Sequence, residues 1–191
     1  MAEPRPAKER PQSPTPATSM PLAEETLESP GIVSTIPYTG EIGDTLVIYC
    51  TDPRFRQQTH ELLHEYLGLR NPLVITVPGG VSLFLPLVGM AFKPMKPLLD
   101  LIVRMLKPRR IVCVAHEDCA AYHQAGSKNP VLNAIIHGTR EAVHDIQHRH
   151  LRNARSTFHV WYPGIAVEVY YADIAPEAGD GSRHVVFTKI S

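Results

Sequence analysis

The chain has 191 residues, 43% of them apolar, with 19 Lys+Arg balanced by 19 Asp+Glu. That suits one domain, or one domain with a tail, and it is enough apolar material for a core. Zero net charge offers no field to gather nucleic acid or an anionic membrane, and three cysteines are too few for a disulfide framework, so a reducing, cytoplasmic setting is expected.

Residues 1–34 read as a tail. Pro4, Pro6, Pro11, Pro14, Pro16, Pro21 and Pro30 are mixed with Ser, Thr and Glu, and such a segment buries too little apolar surface to offset its ordering entropy. Disorder is the expectation. The alternative is a docking element for a protein partner, with PLAEETLESP as a short helix. No apolar run opens the chain, so no secretory signal is expected.

Residues 35–191 read as the folded domain, in which strands and helices alternate. TLVIYC (Thr45 to Cys50) predicts a buried strand, Phe55 to Leu67 a helix, and LVITV (Leu73 to Val77) a second strand. The stretch from Leu73 to Phe92 is long enough for a bilayer span. Pro78-Gly79-Gly80 and Pro86 interrupt it, so it reads as a strand, a Gly-rich turn and an apolar loop or short helix. Pro97 to Leu106 predicts a helix through Leu98, Leu99, Ile102, Val103 and Leu106, and RIVCVA (Arg110 to Ala115) a third strand. A long helix is expected from Pro130 to about Arg152, then a fourth strand, FHVWY, over Phe158 to Tyr162. VEVYYADI and HVVFTKI, around PEAGDGS, predict a closing hairpin. This alternation is the pattern of an α/β fold: a mostly parallel central sheet flanked by helices.

In open α/β sheets reactive groups gather beyond the carboxyl ends of the strands. The first strand ends Cys50-Thr51-Asp52-Pro53-Arg54, and the third ends His116-Glu117-Asp118-Cys119. Two thiolates and an imidazole form a borderline-soft set that suits zinc, and three protein ligands leave a fourth tetrahedral position open. His116 and Cys119, three apart at a strand-to-helix turn, can reach one ion, with Cys119 near a helix N-terminus that favours thiolate. Cys50 arrives from the neighbouring strand. Asp52 and Arg54, two apart on an extended turn, can form a carboxylate–guanidinium fork. That fork would keep Asp52 ionised and off the metal, where it could orient a zinc-bound hydroxide.

These two motifs resemble those of the β-class carbonic anhydrases, and the resemblance runs in order over residues 45–175. It implies a β-carbonic-anhydrase-like fold and one Zn2+ per subunit on Cys50, His116 and Cys119. It also implies Asp52 and Arg54 as the catalytic dyad, carbon dioxide and bicarbonate as substrates, and a homodimer or higher homo-oligomer.

Around the site the sequence departs from that family's pattern. Ala120-Ala121 stand where glycine usually follows the last ligand. Val77-Pro78-Gly79-Gly80 replaces an Arg-Asn-Ala-Gly turn. Gly43-Asp44 lie near the place of a substrate-binding glutamine, and Pro53 replaces a serine. The zinc ligands are intact and the substrate side is rewritten. Two further readings therefore stand beside hydration: a relative acting on carbon disulfide or carbonyl sulfide, and an inactive zinc scaffold.

Cys50 to Arg56 also matches the Cys-x5-Arg phosphate loop of cysteine phosphatases. However, Thr51-Asp52-Pro53 supplies a carboxylate and removes a backbone donor, both unsuited to a dianion, and His116 and Cys119 go unused. Cys113, mid-strand, reads as core. His137, His144 and His148 fall on one helical stripe, read as solvated or interfacial, with proton shuttling to buffer as the functional alternative. Tyr122 and His123 are expected near the pocket, His60 and His64 at a surface, and Trp161 in the core or an interface. No GxGxxG, P-loop or basic–aromatic run occurs, so no nucleotide or nucleic-acid partner is expected.

Overall fold

A computed structural model describes residues 34–85, 95–128 and 140–191. The chain divides into two units, Met1–Thr39 and Gly40–Ser191. The tail read at 1–34 lies outside the described residues except for Ser34.

Within the second unit, five strands form one sheet: β1 (Thr45–Tyr49), β2 (Leu73–Thr76), β3 (Arg110–His116), β4 (Ala166–Ile174) and β5 (Val185–Lys189). Their order is β2-β1-β3-β4-β5. β1 runs parallel to β2 and β3, β3 runs parallel to β4, and β5 closes the sheet antiparallel to β4. β1 and β3 are buried along nearly their whole length, as their unbroken apolar sequences require of central parallel strands. At the edge, β2 alternates between half-buried and exposed positions.

Side-chain alternation divides the core between the two faces. Leu46, Ile48, Ile111, Cys113, Val169 and Tyr171 pack with Phe84, Leu99, Leu151 and Phe158 on one face. Val47, Val112, Val114 and Tyr170 pack with Leu62 and Leu63 on the other.

The helices are α1 (Arg56–Glu61), α2 (Lys96–Leu106), α3 (Ala120–Lys128) and α4 (Arg140–Trp161). The predicted helix from Phe55 to Leu67 is composite: a 3-10 turn at Pro53–Phe55 leads into α1, and a π turn at Leu62–Tyr66 follows it. α2 stops at Lys107, which adopts the left-handed conformation (φ 47°) just before Pro108. The segment from Leu73 resolves into β2, a glycine turn and a 3-10 helix at Gly80–Phe84; residues 86–94 lie outside the described residues. Among the described residues no helix is long and apolar enough to cross a membrane.

One expected element is overturned. Phe158 to Tyr162 is not a strand, because α4 continues through Trp161. Leu151, Ala154 and Phe158 are all 0% exposed at spacings of three and four, which is helical periodicity. The fourth strand is instead β4, the first arm of the expected hairpin, which pairs with β3 on one side and β5 on the other. The expected start of the long helix, together with His137, lies outside the described residues.

Because β1 and β3 are parallel neighbours, with Tyr49 opposite Val114, their carboxyl ends emerge side by side. Cys50 directly follows β1 and His116 is the last residue of β3.

Candidate metal centre

Cys50, His116 and Cys119 are buried and converge, their ligand atoms lying within 4.8 Å of one another, to form a group that could hold a metal ion. The two sulfurs are 3.7 Å apart and all three cysteines are free thiols. Two thiolates on one tetrahedral zinc, each at about 2.3 Å, would stand about 3.8 Å apart.

The imidazole is oriented for the same purpose. His116 Nδ1 lies 2.7 Å from the Glu117 carbonyl oxygen, to which its N–H donates. That fixes the tautomer with a lone pair on Nε2, which is buried and without a hydrogen-bond partner. A metal ion would satisfy this otherwise costly atom. Phe55 packs over the ring with centroids 4.2 Å apart, and Gln147 Nε2 donates to the His116 carbonyl at 2.9 Å. Gln147 Oε1 in turn accepts from the Tyr171 hydroxyl at 2.9 Å. A buried amide from α4 therefore ties the ligand's backbone to β4.

The thiols are coupled. The hydrogen bond from Cys119 holds the Cys50 thiol well below its ordinary range, against the effect of burial. The backbone N–H groups of Asp52 and Gly79 act in the same direction. Cys119 is pushed up by the same bond and by burial. One proton leaves this pair easily, and the second thiolate needs a cation beside it. The donor set thus fits a soft divalent ion.

Gly79 and Gly80 explain the departure at the Val-Pro-Gly-Gly turn. Both have left-handed backbones, with φ of 74° and 56°. A Cβ on Gly79 would stand 2.8 Å from Ser82 Oγ, and one on Gly80 would stand 3.3 Å from the Val114 carbonyl and 3.4 Å from Cys50 N. The turn therefore presses its backbone against the ligand strands and supplies an N–H to the Cys50 sulfur.

Asp52 and Arg54 pair as their spacing predicts. Arg54 Nη2 meets Asp52 Oδ2 at 2.7 Å, Nε reaches both carboxylate oxygens at 3.1 and 3.2 Å, and the Arg54 backbone N–H caps Oδ1 at 3.0 Å. These hydrogen bonds hold Asp52 below the usual carboxylate range. Arg54 also donates to Asp118, a contact the sequence reading did not include.

An apolar wall adjoins the sulfurs, where Tyr122, Val143 and Ile146, with Ala121, cluster around Cys50 and Cys119. Tyr122 is buried, with its hydroxyl 2.9 Å from His150 Nδ1, and His123 is exposed, 3.4 Å from Asp118. The remaining candidates stand apart from the ligand group. Cys113 is core, its thiol pushed up by burial. His144 and His148 stack at 4.0 Å against Tyr171, and His60 and His64 stack at 4.0 Å on the first helical stretch. Trp161 packs on the core beside Phe158 and Tyr162. Arg56 is exposed at the start of α1 while Cys50 is buried against Cys119, which is no arrangement for a phosphate loop.

No family model matches the chain, and no curated protein matches it. It is similar to several solved β-carbonic anhydrase structures at low identity. With CafA of the fungal pathogen Aspergillus fumigatus the identity is 17%, over 75% of this chain and 74% of that one, at a TM-score of 0.43. With one of two tetrameric β-carbonic anhydrases from the ascomycete Sordaria macrospora it is 15%, over 78% and 84%, at 0.46. With isoform I from Trichomonas vaginalis it is 16%, over 77% and 81%, at 0.39.

Proposed function

We propose that the chain is a zinc-dependent carbonic anhydrase that hydrates carbon dioxide reversibly to bicarbonate and a proton. Cys50, His116 and Cys119 hold the metal, and Asp52 and Arg54 form the catalytic dyad. The observation that carries this reading is the unpartnered, buried Nε2 of His116 beside two sulfurs at zinc-pair spacing. When bound, zinc supplies the Lewis acidity that makes water a nucleophile near neutral pH.

The chain's own residues do the rest. Arg54 keeps the Asp52 carboxylate ionised, and a carboxylate only accepts hydrogen bonds. Asp52 would therefore accept a hydrogen bond from the attacking water through a remaining lone pair and so orient it toward the substrate carbon. Arg54 also restrains Asp52, which would otherwise be free to swing toward a bound metal. Carbon dioxide is small and carries no net charge, and the apolar residues Ala121, Tyr122, Val143 and Ile146 clustered with the sulfurs are the kind of surface it would sit against. The released proton passes to buffer.

The same reading includes a homo-oligomer. Leu98, Leu101 and Met105 share one face of α2 and are 41%, 47% and 70% exposed, an apolar surface that suits a second copy of the chain. Thiols that must stay reduced to bind zinc fit a cytoplasmic setting.

Stopped-flow hydration with a pH indicator tests the activity. The zinc-loaded chain is expected to reach a kcat/KM of at least about 10⁴ M⁻¹s⁻¹. Hydration no faster than in buffer alone, from a chain that has taken up zinc, would sink the proposal.

A further inference from the structure

Arg54 serves two acids through two edges of one guanidinium. The Nε and Nη2 edge faces Asp52. Along the other edge, Nη1 donates to Asp118 Oδ2 at 2.9 Å and Nη2 donates to the Asp118 carbonyl at 2.9 Å. Asp118 lies between His116 and Cys119, so this second set of bonds ties the turn after β1 to the turn that carries two of the ligands. Its φ is 53°, a left-handed conformation that Asp and Asn tolerate better than most residues. In that conformation its carbonyl and its carboxylate both reach the guanidinium, while Oδ1 lies 3.4 Å from His123 Nε2.

The Arg54 side chain is 51% exposed and that of Asp118 is 55% exposed. An exposed ion pair with a single partner is a loose connection. A planar five-donor fork filled from two separate chain segments is oriented far more firmly.

We propose that Asp118 is a positioning residue for the reaction: it holds Arg54 by the edge that Asp52 does not use, and so keeps the Asp52 carboxylate oriented and off the metal. This rests on the carbonic anhydrase reading for its purpose, while the hold on Arg54 is a property of the folded chain and can be measured without turnover.

Arginine side-chain ¹⁵N NMR of the zinc-loaded full chain reads that hold directly. Asp118→Gly removes the carboxylate and keeps the backbone conformation unstrained; Asp118→Asn keeps an oxygen acceptor in place. Hindered rotation of the Arg54 guanidinium is expected in the native chain and in D118N, with rotation at least about tenfold faster in D118G. Hydration kcat/KM is expected to fall about tenfold in D118G and to recover in D118N. Unchanged Arg54 rotation in D118G, or equal loss of restraint in D118N and D118G, overturns the proposal. So does faster rotation in D118G with unchanged kcat/KM. A native chain that restrains Arg54 through Asp118 but hydrates no carbon dioxide would instead refute the proposed function and leave the hold on Arg54 standing.

Discussion

Cys50 Sγ and Cys119 Sγ lie 3.7 Å apart although 69 residues separate them in the chain. Parallel pairing of β1 with β3 accounts for the meeting, because it delivers both strand ends to one side of the sheet. The distance is too long for a disulfide and close to the separation of two thiolates on one tetrahedral ion. The fold therefore brings the parts of the site together from distant segments, and they are testable one at a time.

Removing the guanidinium should free the carboxylate. In Arg54→Ala, Asp52 loses its partner at 2.7 Å and can swing toward the metal. Steady-state hydration is expected to drop about 100-fold with zinc content unchanged. Full activity in this variant would show that the dyad has no catalytic role.

Gln147 is 1% exposed and satisfies both the His116 carbonyl and the Tyr171 hydroxyl. Gln147→Leu is close in size and removes both of these buried hydrogen bonds. The expected loss is about 2 kcal/mol, a Tm lower by about 4–8 °C, together with zinc affinity weaker by about tenfold or more. Thermal melts of metal-free and zinc-loaded protein separate the two effects. A variant as stable and as zinc-avid as the native chain would show that this bridge is idle.

Acid stability should depend on His150. Burial lowers its pKa from 6.5 to about 4, so the folded chain keeps the ring neutral where the unfolded chain would protonate it. Its contribution is fully present above about pH 6.5, and is lost as pH falls through that value toward 4, amounting to up to about 3 kcal/mol. His150→Gln cannot be protonated and keeps a polar side chain beside the Tyr122 hydroxyl. Urea denaturation across pH 4–7 should show a shallower acid slope in this variant, and an identical slope would exclude His150 as the cause.

The rate should rise with pH. The hydrogen bonds from Arg54 lower the Asp52 pKa from its ordinary 3.8, so it contributes no titration near neutrality. The two thiolate donors place more negative charge on the metal than imidazoles would, which keeps the attacking water a weaker acid. The kcat/KM for hydration is expected to climb between about pH 6 and 9, and a flat profile over that range would contradict this account.

The convergence of Cys50, His116 and Cys119 was legible because each motif sits at a strand end, and an unbroken apolar strand precedes each one. Gly79 and Gly80 read as a turn, but the reason for two glycines, close approach to Cys50 and Val114, belongs to tertiary packing. Phe158 to Tyr162 was misread because a five-residue apolar and aromatic run does not reveal its period. Only its continuation from Leu151 and Ala154 marks it as helical. Gln147 and Phe55 act through neighbours distant in sequence, and no spacing rule points to them. Gln147 did leave a trace, as a buried polar residue among Val143, Ile146 and Leu151 on the inner side of α4. Asp118 lies inside the His116–Cys119 motif, and its grip on Arg54 appears only once β1 and β3 are side by side.

X-ray absorption at the zinc edge, on the reconstituted chain and on Cys50→Ser, examines the assembly itself. The account predicts one zinc per chain, with two sulfurs at about 2.3 Å and two light atoms at about 2.0–2.1 Å, and predicts that the variant loses a sulfur or the whole ion. A chain that retains no zinc, or a coordination shell that Cys50→Ser leaves unaltered, would contradict it.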